Sequence, residues 1–187
     1  MTATDSVHVS KTTSGKVVSG FGNLLHVIFD GDIKQGEVGY VHVNNLELKA
    51  EVIESYGKEA KLQVFDDTRG IQLNSSVTFT NDLLEAELGP GLLSSVYDGL
   101  QNPLEKIAQK AGVYLPRGMY ARALDKKRVW DFHPTCQLGD VARRGYALGY
   151  VLEGRFQHKI MVPFSHYDTY TITYVAPKGS YTVDQCI

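Results

Sequence analysis

The sequence predicts a mainly β protein: a small N-terminal antiparallel β-barrel, one short connecting helix and a second β-rich module. Three observations carry that prediction. Between residues 15 and 88, short runs of β-branched and aromatic residues alternate with polar ones at a period of two, as strands with one buried face require. Gly, Asn and Asp residues stand between those runs where hairpin turns belong. Helical spacing occurs only just after Pro103, and strand-like patterning resumes after Pro116.

Taken in order, Val17 to Phe21 and Leu24 to Phe29 flank Gly22-Asn23, a two-residue hairpin signal. Asp30-Gly31 and Gln35-Gly36 mark the next turns, and Val38, Tyr40, Val41 and Val43 lead to a turn at Asn44-Asn45. Leu46, Leu48, Ala50 and Val52 alternate with polar residues, as do Ala60, Leu62 and Val64 before Phe65. Val77 and Phe79 open a strand-like run that reads on to Leu88. Many short antiparallel strands favour a closed barrel, which leaves no exposed edge. Gly89-Pro90-Gly91 then makes a stiff turn, followed by further turns at Asp98-Gly99 and Asn102-Pro103. Pro103 suits a helix start, Leu104, Ile107, Ala108 and Ala111 share one helical face, and Gly112 is the stop. Beyond Pro116, glycines at 118, 139, 145, 149 and 179 punctuate short runs such as Leu148 to Val151, Tyr170 to Val175 and Tyr181 to Val183.

Composition narrows the function classes. Apolar residues make up 43% of the 187 residues, enough for packed cores. A formal net charge of −2 and only short basic clusters, Lys126-Lys127-Arg128 and Arg143-Arg144, argue against a nucleic-acid partner. No apolar run approaches the length of a membrane span, so direct membrane insertion is not expected. Met1 to Lys11 is polar and lacks the apolar core of a signal peptide, which predicts a cytoplasmic protein tied to any membrane only through partners. The two cysteines, Cys136 and Cys186, make no disulfide framework and read as free thiols.

One string says more than the rest: Glu87-Leu88-Gly89-Pro90-Gly91-Leu92-Leu93, continued by Tyr97-Asp98-Gly99-Leu100-Gln101-Asn102-Pro103-Leu104. It closely resembles the catalytic A (alpha) subunit of V-type and A-type rotary ATPases. So do Gly15 to Val18 with Gly22 to Val27, Gln35 to Val41, Leu48 to Glu54, and Lys61 to Phe65 with Thr68 to Ile71, all in the family's order. Near the end, Glu153-Gly154-Arg155-Phe156 and His158 to Phe164 resemble the insertion that distinguishes A subunits from their relatives. The pattern of residues 139–183 is similar to a barrel-sandwich hybrid, the shape of biotinyl and lipoyl domains.

The resemblance implies a division into 1–81, the barrel that joins a crown; 82–115, a connector and the start of the nucleotide-binding domain; and 116–187, the outward bulge of A subunits. It implies B subunits of the rotary ring as partners, with stalk subunits as further contacts. The parent would hydrolyse or synthesise ATP coupled to H⁺ or Na⁺ transport. The catalytic pattern itself is missing. A P-loop requires G-x-x-x-x-G-K-[ST], whose amides wrap phosphate while Lys and Ser/Thr meet phosphate and Mg²⁺. Gly-Lys occurs at Gly15-Lys16 and Gly57-Lys58, but Val17 and Glu59 follow and the upstream Gly is absent. The chain therefore reads as a non-catalytic N-terminal fragment. No catalytic, cofactor-binding or metal site is expected in it, and Mg-ATP belongs to the full-length subunit.

Other constellations have plainer readings. His133 and Cys136, with Asp131 close by, have ligand-like spacing, yet a zinc site would need Cys186, His158 or His166 to converge on them. Lys159 invites a carrier reading, in which a biotinyl- or lipoyl-like module presents a modified lysine on a hairpin; a strand lysine with its charge in water is the simpler account. A small β-barrel binding protein is the other alternative. Asp66-Asp67 reads as a turn, and Glu85 and Glu87 as solvent-facing alternate residues of the strand running to Leu88. Trp130, the single tryptophan, reads as a core or interface anchor.

Overall fold

The alternating runs of the first half close into an antiparallel barrel in the computed structural model, which describes residues 13–93, 95–112 and 114–187. Met1 to Lys11 lies outside the described residues. The chain forms two compact units, one containing the described residues up to 85 together with 114–119, the other 86–112 and 120–187.

In the first unit, β1 (Ser14–Phe21), β2 (Leu24–Asp30), β3 (Glu37–Val43), β4 (Leu46–Tyr56), β5 (Glu59–Val64) and β6 (Ser76–Leu83) pair in the order β1-β2-β5-β4-β3-β6, and β6 returns to β1. Two-residue turns join Phe21 to Leu24, Val43 to Leu46 and Tyr56 to Glu59. Gly22 at φ 61° and Gly57 at φ 59° supply the positive angle of the first turn position, which matches the right-handed twist of the strands. The alternate residues expected to face inward do so: Val27, Val41, Leu48, Ala50, Val52, Leu62, Val77 and Phe79 are all 0% exposed. Phe79 meets Phe29 edge-on at 5.9 Å. Burying an aliphatic or Phe side chain contributes about 1.5–3 kcal/mol, so this lining dominates the barrel's stability.

Glu37 is a buried charged group of the barrel, and both of its carboxylate oxygens are hydrogen-bonded. Oε2 accepts the Lys34 N–H at 2.9 Å and Oε1 the Asn81 N–H at 2.8 Å. Asn81 takes φ 64° there, and β6 stops at Leu83. The strand-like run read as reaching Leu88 is therefore shorter, because the last register partner of β6 is Glu37, opposite Leu83. Arg117 returns to this unit and donates from Nη1 to the carbonyls of Asp67, at 3.0 Å, and Arg69.

In the second unit, α1 (Leu104–Ala111) starts after Pro103 and ends at Gly112, whose N–H donates to Ala108 O at 2.8 Å. Ile107 is its buried residue. Strands β7 (Val129–Pro134), β9 (Ala147–Glu153), β10 (Phe156–Met161) and β12 (Gly179–Thr182) form a four-stranded sheet ordered β10-β9-β7-β12. β8 (Val141–Ala142) and β11 (Tyr170–Thr171) form a separate pair, extended by Gly139 N–H to Ile172 O at 2.9 Å. Trp130, Phe132, Val151 and Ala176 make the core, with Ile160, Tyr181, Val183 and Ile187 packed against it. The β7–β9 approach depends on Gly149, where a Cβ would lie 2.3 Å from the Phe132 ring. Pro134 closes β7 opposite Gly149.

Candidate functional site

The Gly-Pro-Gly string is organised by carboxylates and amides far from it in sequence. Pro90 restricts the backbone, and Gly91 takes φ 110°, an angle other residues resist. That geometry aims the Gly91 and Leu93 N–H groups at one oxygen, Glu153 Oε1, at 2.8 and 2.9 Å. Glu153 ends β9 and is 6% exposed, and its other oxygen lies 3.2 Å from His158 Nδ1 on β10. Two turn amides, separated by one residue, converge on one anion as in a nest, here filled by the protein's own carboxylate.

A second cluster fixes the approach to α1. Asp98 Oδ1 accepts the N–H groups of Leu100 and Asn102, at 2.9 and 2.8 Å, and its Oδ2 accepts Asn102 Nδ2–H at 2.9 Å. Asn102 is buried, and its Oδ1 accepts the Ala121 N–H at 2.9 Å. Gln101 and Glu87 bond reciprocally, each side-chain-to-backbone contact being 2.7 Å. Glu87 lies beyond β6, and its carboxylate accepts the Leu124 N–H at 3.2 Å, so the reading of Glu85 and Glu87 as alternate residues of one strand is corrected. Sequence reasoning singled out this string but missed the roles of Asp98, Gln101, Asn102 and Glu153.

Beside the Gly-Pro-Gly turn runs an open apolar groove of about 820 Å³, lined by residues that include Leu88, Leu92, Phe132, Ile160, Phe164 and Val183. Trp130 lies in its floor as part of the core, with the Arg128 guanidinium 4.1 Å from the ring centroid. His133 stacks on Tyr150, ring centroids 4.9 Å apart, and the Cys136 thiol donates to Leu148 O at 3.2 Å. Burial pushes that thiol above its ordinary range, with the Asp140 carboxylate a smaller influence in the same direction. Among the described residues, no three His, Cys, Asp or Glu side chains converge to hold a metal ion. Asp67 accepts from Arg69 N and Nε, at 2.9 and 2.6 Å, within the turn read from sequence. Gly15-Lys16 lies in β1 and Gly57-Lys58 is the tip of the β4–β5 hairpin, so neither pair is part of a phosphate loop.

Two family models match the chain. The ATP synthase alpha/beta family β-barrel domain matches residues 17–81, and the ATP synthase alpha/beta subunit barrel-sandwich domain matches residues 121–187. The V-type ATP synthase alpha chain of Protochlamydia amoebophila is 59% identical over 177 residues, that of Chlamydia caviae 54% over 177, and that of Treponema denticola 50% over 175. The chain belongs to the ATP synthase alpha/beta family. These matches cover 94–95% of the chain, and the chain spans 30% of the length of each relative.

The barrel model ends at residue 81 and the barrel-sandwich model begins at 121, so the clasped string of this alpha/beta-family chain lies between them. The carrier alternative finds no support in those relatives or in the placement of its lysine. Lys159 stands mid-strand in β10 opposite Tyr150, and the turn of that hairpin is Gly154-Arg155. A lysine modified for carriage needs a protruding tip, which this one lacks. No helix among the described residues is long and apolar enough to cross a membrane.

Proposed function

We propose that this chain serves as the N-terminal, non-catalytic part of the A subunit of a V/A-type rotary ATPase. The full-length subunit would hydrolyse or synthesise ATP with Mg²⁺, coupled to H⁺ or Na⁺ movement. In this reading the barrel joins a crown with neighbouring barrels, B subunits flank it in the ring, and the barrel-sandwich module forms the outward bulge. The complex would lie on the cytoplasmic side, peripheral to its membrane.

The observation that carries the reading is 50–59% identity to V-type ATP synthase alpha chains across nearly the whole chain. Exposed apolar residues support it. Leu88 is 82% exposed, Leu93 49% and Val96 70%, in the string that would pack against a following nucleotide-binding domain. A domain exchange tests the proposal. The matching 177 residues of the Protochlamydia alpha chain would be replaced by those of this chain. The chimera should assemble with the remaining Protochlamydia subunits and hydrolyse ATP. A well-folded chimera that fails to enter the complex would refute the assembly role.

A further inference from the structure

We infer that residues 88–93 form a strap latched by the Glu153 carboxylate, and that the strap can be released without unfolding the sheet beneath it. Three observations support the latch. Residues 88–93 belong to no strand, so no ladder secures them; Pro90 and Gly91 form only a local turn. Their two amide contacts, from Gly91 and Leu93, converge on the single oxygen Glu153 Oε1. Glu153 itself is rigidly placed: it is the last residue of β9, pairs with Phe156 across the β9–β10 turn, and is 6% exposed.

The arrangement separates the strap from the fold. The sheet is held by β7–β9, β9–β10 and β7–β12 ladders, none of which includes the strap. The strap is held by a side chain, and charge-assisted contacts of a carboxylate with backbone N–H groups are strong yet few. Leu88 and Leu92 line one wall of the apolar groove, and Gly91 lies against Trp130, where an added Cβ would come within 3.3 Å of the ring. Opening the latch would therefore move one wall of the groove and uncover the indole. Glu153 acts as a positioning residue that sets the groove's width.

Amide exchange followed by NMR on the 187-residue protein tests this, with Glu153→Ala and Glu153→Gln. In Glu153→Ala the Gly91 and Leu93 amides should exchange at least tenfold faster, while amides of the β7–β9 ladder keep their wild-type rates. Added acetate, a free carboxylate that can refill the nest, should slow Gly91 and Leu93 back toward wild type. Glu153→Gln, which keeps one acceptor oxygen without the charge, should fall between. Wild-type exchange at Gly91 and Leu93 in both variants would overturn the inference. Equal acceleration of strap and ladder would overturn it too, by making Glu153 a support of the whole sheet. If the alanine variant fails to fold, the glutamine variant is judged on the same two criteria.

Discussion

Asn102→Ala should weaken the second unit by far more than a polar loop residue ordinarily would. Asn102 is 4% exposed. Its Nδ2 donates to Asp98 Oδ2 at 2.9 Å and its Oδ1 accepts the Ala121 N–H at 2.9 Å. Alanine keeps the backbone N–H on Asp98 Oδ1 but removes both side-chain bonds. A hydrogen bond to a charged group is worth about 1.5–3 kcal/mol, and the stranded, half-buried Ala121 N–H costs about 1 kcal/mol, the low end for buried groups, so a loss of about 2.5–4 kcal/mol is expected. Trp130, the single tryptophan, sits in the core of this unit and reports its unfolding by fluorescence. With a urea slope of about 1–3 kcal/mol per molar, the midpoint should fall by more than about 1 M. A double-mutant cycle with Asp98→Ala isolates the Nδ2–Oδ2 bond, and its coupling energy should be about 1.5–3 kcal/mol. A loss below about 1 kcal/mol for Asn102→Ala, or a coupling near zero, would show that the Asp98–Asn102 clasp does not hold the approach to α1.

Three further outcomes are expected. Phe79→Ala, at a fully buried barrel position, should destabilise the barrel by about 3–5 kcal/mol in chemical denaturation followed by circular dichroism; a change under 1 kcal/mol would contradict the packing described. Cys136 is buried with its thiol held above the ordinary range, whereas Cys186 is exposed. A raised folded-state value means the stability linked to that thiol is fully present below the unfolded value and is lost as pH rises through the folded one. At pH 8 iodoacetamide should therefore modify Cys186 at least tenfold faster than Cys136, and equal rates would refute the burial argument. Titration calorimetry with Mg-ATP should be flat, since G-x-x-x-x-G-K-[ST] occurs nowhere in the chain; saturable micromolar binding would sink that expectation.

Much of the architecture was legible in the residues alone, because burial on one face leaves a period. Alternation from Val17 to Phe79 marked the barrel lining, Gly22-Asn23 and Asn44-Asn45 marked two of its hairpins, and Pro103 and Gly112 bracketed the helix. The missing phosphate-loop pattern was legible for the same reason: that chemistry demands fixed residues at fixed spacing. Where β6 ends was not legible, since Leu84 and Leu88 continue an apolar rhythm past the last ladder partner at Leu83. The clasp was hidden as well. In sequence Glu153 stood only as the first residue of a string that resembles the A-subunit insertion, and only folding brought its carboxylate to amides 60 and 62 residues away. Asp98 and Asn102 looked like turn residues, yet Asn102 also reaches Ala121, nineteen positions on. A side chain that satisfies a distant backbone amide leaves no periodic trace, because its partner is chosen by proximity in space. The sequence determined which segments become strands, turns and helix; the tertiary structure decided which carboxylates hold the Gly-Pro-Gly string in place.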